Sequence, residues 1–269
     1  MPFRTEFRFR PYHDARGERL PNPEPRQIYG PVHSIGPLTV CAYLVATPDG
    51  LVVVDTGYES DGELLPDNIR KLGFEPRDIR LILLTHWHWD HIGGAARLAE
   101  LSGAPVMVHE LDAGIVESGS YRGERKTPPV GVARRLKDGD AIERGGVAFR
   151  TIHAPGQSAG EVVFLAEVDG PDGPCRVLFA GDATGFKHSV KGLDELGYPG
   201  VCADYRRAVK TLEALEFDLY LGGHPHQVFN EMREDGNPFV TREEYRRMLS
   251  ERHRLMEEFV ARHPRYLEW

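Results

Sequence analysis

The chain has 269 residues, of which 41% are hydrophobic and 28% are charged, and its formal net charge is −8. A chain of this length can bury a substantial core without disulfides, and the composition is typical of a globular protein. The acidic balance gives no electrostatic reason to bind nucleic acid or an anionic membrane, so we expect neither partner.

The cysteines and the N-terminal residues indicate the compartment. Cys41, Cys175 and Cys202 are scattered, odd in number and without CxxC spacing, which argues against a disulfide framework and against a thiolate zinc site. The first 20 residues lack the apolar run of a secretory signal, and no run approaches the length of a membrane span. We therefore expect a cytoplasmic protein, or a periplasmic one if the chain is a processed form.

Apolar runs and turn residues predict the elements of the first half. The proline-rich stretch 21–31 indicates an extended entry segment, because proline removes a backbone donor and favours extended neighbours. Strands are predicted at 38–46, 51–54, 79–84 and 104–108, and helices at 62–72 and 93–102.

The second half repeats this alternation. A hairpin is predicted over 141–152, strands at 161–168, 176–180 and 218–221, and a helix over 204–216 with Asp204 as its N-cap. A last helix is predicted over about 241–263, because Thr241 and Glu244 have the spacing of a capping box. Strands alternating with helices favour an α/β protein with helices outside the sheets.

The sequence THWHWDHIGG at 85–94 follows the predicted strand 79–84 directly. Alternate residues of an extended segment face one way, so His86 and His88 can converge on one metal ion. Asp90 and His91 follow a turn and can bind a metal ion at a neighbouring position. Imidazole nitrogen and carboxylate oxygen are zinc ligands, so the cluster predicts a site for a divalent metal.

This H-x-H-x-D-H sequence after an apolar strand resembles the signature of the metallo-β-lactamase superfamily. The resemblance covers roughly residues 28–230 and includes VVVDTG, HAPGQSAGE, FAGDATG and LGGHP, in that order. The stretch from Leu72 to Gly103 is most similar to the third subclass of metallo-β-lactamases. The resemblance implies a single domain over 1–269, folded as a four-layer αβ/βα sandwich with two mixed sheets inside and helices outside.

The resemblance also implies a set of metal ligands. His86 and His88 correspond to ligands of a first metal, and Asp90, His91 and His224 correspond to ligands of a second. Asp182 resembles the aspartate that bridges two metals in glyoxalase-like and lactonase-like members, whereas β-lactamases of the third subclass usually have no bridging carboxylate there. The implied cofactor is one or two Zn²⁺ ions, with Fe or Mn as alternatives.

Gln157 departs from the family pattern, because members usually have a histidine ligand of the first metal at this position. Three interpretations are open. Gln157 is a weak ligand of a weak first site, or Gln157 does not bind and the enzyme works with one metal, or His153 or another nearby group takes its place.

The chemistry that these groups support is hydrolysis. A divalent metal lowers the pKa of bound water far below that of free water, to about 7, which supplies hydroxide to attack a carbonyl. Asp90 is the expected catalytic residue, since it can orient this hydroxide and pass a proton to the leaving group. The chain has no GxSxG motif and no cysteine with a plausible triad partner, so direct hydrolysis is expected.

The expected substrate is a small molecule with a β-lactam bond, and a lactone or a glyoxalase II-like thioester is the alternative. A non-catalytic metal-binding protein is the alternative from another class. Substrate choice in this fold is expected to depend on loops, here 57–66, 114–132 and 186–202. Asp55 is interpreted as structural support behind the site, and Trp87 and Trp89 as packing or cleft-wall residues.

Overall fold

The computed structural model of the chain describes residues 22, 24–36, 39–59, 62–183, 185, 192–194, 200–224 and 240–266. The strands in chain order are β1 (Arg26–Tyr29), β2 (Val32–Ser34), β3 (Tyr43–Thr47), β4 (Gly50–Val54), β5 (Ile79–Leu83), β6 (Val106–His109), β7 (Ser120–Tyr121), β8 (Glu124–Arg125), β9 (Val132–Leu136), β10 (Ala141–Arg144), β11 (Val147–His153), β12 (Val162–Gly170), β13 (Gly173–Gly181) and β14 (Leu219–Gly222). The helices are α1 (Leu64–Lys71), α2 (Trp89–Ile92), α3 (Ala95–Ser102), α4 (Glu110–Ser118), α5 (Val201–Glu213) and α6 (Arg242–Arg262), with 3₁₀ turns at Pro76–Asp78 and Pro264–Tyr266.

Two mixed sheets form the centre of the fold. The first has the order β1-β2-β3-β4-β5-β6-β9, antiparallel from β1 to β4 and parallel from β4 to β9. The second has the order β10-β11-β12-β13-β14, with only β13 and β14 parallel. β7 and β8 form a separate hairpin.

Three apolar layers hold these sheets and their helices together. Inward-facing residues of both sheets, such as Val52 and Phe164, form one cluster between the sheets. The outer face of the first sheet packs on α1, α3 and α4, and the outer face of the second sheet packs on α5 and α6. This arrangement is the predicted four-layer αβ/βα sandwich, because each sheet must bury both faces.

Several predicted elements need correction. Part of the expected entry segment at 21–31 is instead β1, which forms a hairpin with β2, and β2 pairs with β3. The sequence did not predict α4 or β9. Asp204 is not an N-cap, since α5 begins one turn earlier after Gly200, whose left-handed φ of 96° suits glycine.

The C-terminal helix begins where the sequence predicted. The Thr241 hydroxyl accepts a hydrogen bond from the Glu244 backbone, and the Glu244 carboxylate accepts one from the Thr241 backbone. Within the described residues, no helix combines the length and apolar character that crossing a membrane requires.

Candidate metal centre

The candidate site lies where strands of both sheets end at a common edge. β4 and β5 are parallel and lead into Asp55 and His86, and β13 and β14 are parallel and lead into Asp182 and His224. The Val162 backbone donates to the Thr85 carbonyl at 2.9 Å, which joins the two sheets beside these residues. Loops at the carboxyl ends of such strands are where α/β folds place ligands.

Within the described part of the chain, two overlapping groups of side chains have the geometry to hold a metal ion. One is His86, His91 and Asp182, and the other is Asp90, His91 and His224, with potential ligand atoms within 4.8 Å of one another in each group. Asp182 Oδ2 lies 3.8 Å from His91 Nε2 and 3.5 Å from His224 Nε2. Residues separated by as many as 138 positions in the sequence therefore converge on one point.

Two histidine nitrogens in these groups lack hydrogen bonds, as expected for ligands of a cation. Nε2 of His86 and Nε2 of His91 are buried and have no hydrogen-bond partner within the described residues. A buried polar atom without a partner costs free energy, and a cation between the rings would remove that cost. Imidazole nitrogen together with carboxylate oxygen is also a donor set that zinc accepts.

A buried carboxylate orients His91 from behind. Asp55 Oδ2 accepts hydrogen bonds from His91 Nδ1 at 2.9 Å and from the Thr85 hydroxyl at 2.7 Å, and Oδ1 accepts from the Thr85 backbone at 2.8 Å. Asp55 has a left-handed φ of 56°, a conformation that aspartate tolerates better than most residues. This geometry agrees with the structural interpretation of Asp55, since it fixes the proton on Nδ1 and leaves Nε2 for a cation.

His224 is oriented in a similar way, and a glycine allows its approach. Nδ1 of His224 lies 2.9 Å from the Thr39 carbonyl, so Nε2 faces the carboxylates. A Cβ atom on Gly223 would lie 2.6 Å from His91 Cε1 and 2.8 Å from Asp182 Oδ1. Any larger residue at 223 would displace the buried ligands.

Charges within the cluster shift the proton affinities of its members. Burial lowers the pKa of His86 well below its ordinary value, and the neighbouring His91 and His88 lower it further. Burial acts against protonation of His91, but the hydrogen bond and charge of Asp55 raise its pKa to about 10. Burial also acts to raise the pKa of Asp182, yet His224 and His91 hold it well below its usual range. Asp182 therefore stays ionised and ready for a cation.

Gln157 lies at the edge of this cluster. Its Nε2 is 3.4 Å from Asp182 Oδ2, and its backbone N–H donates to Glu161 Oε2 at 3.2 Å. Glu161 is fully buried, and its Oε1 accepts from the Asp182 backbone at 2.9 Å. One carboxylate therefore sets the backbone of both Gln157 and Asp182.

Asp112 supports the other side of the site. Its carboxylate accepts from the Trp87 backbone at 3.0 Å, from the Ser158 hydroxyl at 2.7 Å and from the Gly160 backbone at 2.8 Å. Burial raises its pKa to about 6 despite these hydrogen bonds. Asp112 connects the loop that carries His86 and His88 to the loop that carries Gln157.

The remaining candidates lie beside the cluster. The His88 ring is 4.6 Å from the His86 ring, but His88 belongs to neither of the two ligand groups found among the described residues. His153 Nε2 lies 2.9 Å from the Ala159 carbonyl, and its ring stacks on His109 at 4.3 Å. Trp87 stacks on Tyr121 at 4.6 Å, while Trp89 is half exposed.

Comparison with known proteins places this geometry in a family. A family model described as the metallo-beta-lactamase superfamily matches residues 35–224. The solved structure of BJP-1, a subclass B3 metallo-beta-lactamase of Bradyrhizobium japonicum, aligns with a TM-score of 0.78 and 29% identity, over 92% of this chain and 97% of that chain.

Two curated relatives have other descriptions. The probable metallo-hydrolase YqgX of Bacillus subtilis is 28% identical over 213 residues, which are 77% of this chain and 94% of that protein. A hydroxyacylglutathione hydrolase of Pseudomonas putida is 34% identical over 123 residues, which are 45% of this chain and 40% of that protein.

Proposed function

The chain belongs to the metallo-beta-lactamase superfamily, and we propose that it hydrolyses a small-molecule thioester or lactone with the help of bound zinc. The observation that carries this choice is the place of Asp182, whose carboxylate lies within 3.8 Å of His91 Nε2 and 3.5 Å of His224 Nε2. An aspartate here resembles the bridging carboxylate of glyoxalase-like and lactonase-like members. The similarity to a hydroxyacylglutathione hydrolase supports the same substrate class.

A β-lactam is the second candidate. It is supported by the structural similarity to BJP-1, which extends over 92% of this chain. The shared fold positions the ligand loops for either reaction, so the substrate must be decided by the carboxylate at 182 and by the surrounding loops. Most of the predicted substrate loop at 186–202 lies outside the described residues.

The cation and the protein side chains would supply different parts of the hydrolytic chemistry. When bound, a divalent cation polarises a carbonyl and makes water nucleophilic near neutral pH. It would be held by His86, His91 and Asp182, or by Asp90, His91 and His224. The Asp90 carboxylate is partly exposed, with Oδ2 3.7 Å from His224 Nε2, so it can take a proton from water and deliver it to the leaving group.

A substrate panel tests this proposal. The zinc-loaded chain would be assayed with a glutathione thioester, a homoserine lactone and the cephalosporin nitrocefin, beside a His224→Ala variant. We expect kcat/KM for the thioester or the lactone to exceed that for nitrocefin, and the variant to lose turnover on every substrate. Faster hydrolysis of nitrocefin would indicate a β-lactamase. No turnover of any substrate by loaded protein would favour a non-catalytic metal-binding protein.

A further inference from the structure

A groove lies beside α3 and the short helix α2. Its volume is about 620 Å³, which is within the range of small-molecule binding sites. One side comes from α3 and the turn before it, and the other sides come from the predicted substrate loops at 57–66 and 114–132. We call it the acidic groove, and its lining includes Glu59, Glu63, Gly93, Arg97, Glu100 and Pro128.

Helix α2 connects the acidic groove to the candidate metal centre. Trp89 and Gly93 are four residues apart, so they lie on one face of this helical segment, and Gly93 lines the groove. Asp90 and His91, which lie between them in sequence, belong to the candidate metal centre. A ligand in the groove would therefore lie about one helical turn from the candidate metal ligands.

Trp89 forms an exposed aromatic edge at this end of the groove. It is 50% exposed, and only one other large hydrophobic residue is as exposed within the described part of the chain. The Tyr58 ring lies 4.9 Å from the Trp89 ring. A Cβ atom on Gly93 would lie 2.3 Å from the Tyr58 carbonyl carbon, so the Tyr58 backbone packs closely against the groove lining. Aromatic faces beside a pocket attract a ligand cation.

The charges that line the groove favour the same kind of ligand. Arg97 Nε donates to Glu63 at 2.7 Å and its Nη1 donates to Glu100 at 2.8 Å, which fixes both carboxylates beside the groove. The carboxylate of Glu59 is a third one, and it is exposed. Three carboxylates and one guanidinium leave an excess of two negative charges in the lining. Such a groove raises the local concentration of cations.

We propose that the acidic groove binds an ammonium group of the substrate, in a part of the substrate that extends away from the bond to be broken. The inference rests on the proposed hydrolytic function and names a feature of its substrate. A trimethylated ammonium fits best, because a compact and weakly hydrated cation contacts the face of Trp89 while the carboxylates supply charge from the other sides.

Ligand-observed NMR with choline tests this proposal without an activity assay. Choline and the neutral alcohol 3,3-dimethylbutan-1-ol have nearly the same shape, and both carry three equivalent methyl groups, but only choline is charged. Saturation-transfer titrations would use the full chain with zinc present, so that the carboxylates of the candidate metal centre are not available to choline. We expect saturable binding of choline and about two- to fivefold weaker binding of the neutral alcohol.

Two variants locate the choline site. Trp89→Leu removes the aromatic face, and Glu59→Gln removes one exposed charge, so we expect each to weaken choline binding about two- to fivefold. Glu243→Gln, at the exposed start of α6, is the matched control and should bind choline as the wild type does. Thermal unfolding checks each fold, and Glu59→Gln decides alone if Trp89→Leu does not fold. No saturable choline binding, equal binding of the alcohol, or equal affinities of Glu59→Gln and the control would overturn the proposal.

The link to the substrate is tested by KM. A thioester with a trimethylammonium tail would be compared with the thioester that has a tert-butyl group in its place. We expect KM to be about two- to fivefold lower for the charged thioester, and Glu59→Gln to reduce this difference. Equal KM values for the two thioesters would contradict the proposal.

These results are separable from the proposed function, because choline binding requires no turnover. A chain that binds choline in the groove and hydrolyses no thioester or lactone would contradict the function alone. A chain that hydrolyses these substrates and does not bind choline would contradict the ammonium site alone.

Discussion

Asp55 orients His91, a candidate metal ligand, but is not itself a candidate ligand. Replacing it with asparagine removes one of its two acceptor oxygens. Either the His91 ring or Thr85 then loses its hydrogen-bond acceptor. Loss of such an outer partner typically lowers metal affinity about 10- to 100-fold. We therefore expect Asp55→Asn to weaken zinc binding by that factor in a chelator competition. Asp67→Asn, at an exposed position of α1, is the control, and equal affinities of the two variants would contradict this role.

Asp112 gives the protein a pH-dependent stability. Its pKa is raised from 3.8 to about 6 by burial, so the folded chain binds the proton more tightly than the unfolded chain. Stability from this group is therefore full below about pH 4 and falls as pH rises through 6, by about 3 kcal/mol in total.

Asp112→Asn removes this titration. In chelator, where both proteins are metal-free, we expect the free energy of unfolding of the wild type to decline relative to that of Asp112→Asn between about pH 4 and pH 7. Denaturant titration at both ends of this range measures the difference. A difference that does not change with pH would show that Asp112 is not buried as an ionisable group.

Sequence reasoning identified the residues that face the metal better than the residues that support them. His86, Asp90, His91 and His224 lie in short motifs with recognisable spacing. Asp112 and Glu161 carry no such signal, because a lone acidic residue is usually exposed. Only burial beside backbone donors gives these two carboxylates their role, and burial depends on the complete fold.

Helix α6 shows what local sequence can determine. Thr241 and Glu244 satisfy each other's backbone donors, so the start of the helix follows from four residues. Thr241→Ala should lower the free energy of unfolding by about 1 kcal/mol, because the N-cap hydrogen bond is lost. Chemical denaturation measures this, and Ser250→Ala on the exposed face of α6 is the control. A loss no larger than that of the control would contradict the capping role.

Helix α4 and strand β9 show what local sequence leaves undetermined. The helix contains Gly114 in its interior, a residue of low helix propensity. It is stabilised instead by Ala113 and Val116, which pack on the first sheet. Strand β9 is largely exposed because it forms the edge of that sheet, and it lacks the apolar alternation of a predicted strand.

The whole molecule is built so that two sheets present their loops to one point. The first sheet contributes His86, Asp90 and His91, and the second contributes Asp182 and His224. A cation bound there would connect the two halves and add its binding free energy to the stability of the folded chain. Local sequence patterns do not predict this geometry, because the strand order brings together residues that are far apart along the chain.

Anomalous diffraction from crystals grown with zinc, recorded on both sides of the zinc absorption edge, tests this arrangement most directly. The account predicts strong anomalous density within bonding distance of Asp90, His91 and His224, or of His86, His91 and Asp182. A strong peak away from all of these residues, or no peak among them, would contradict it.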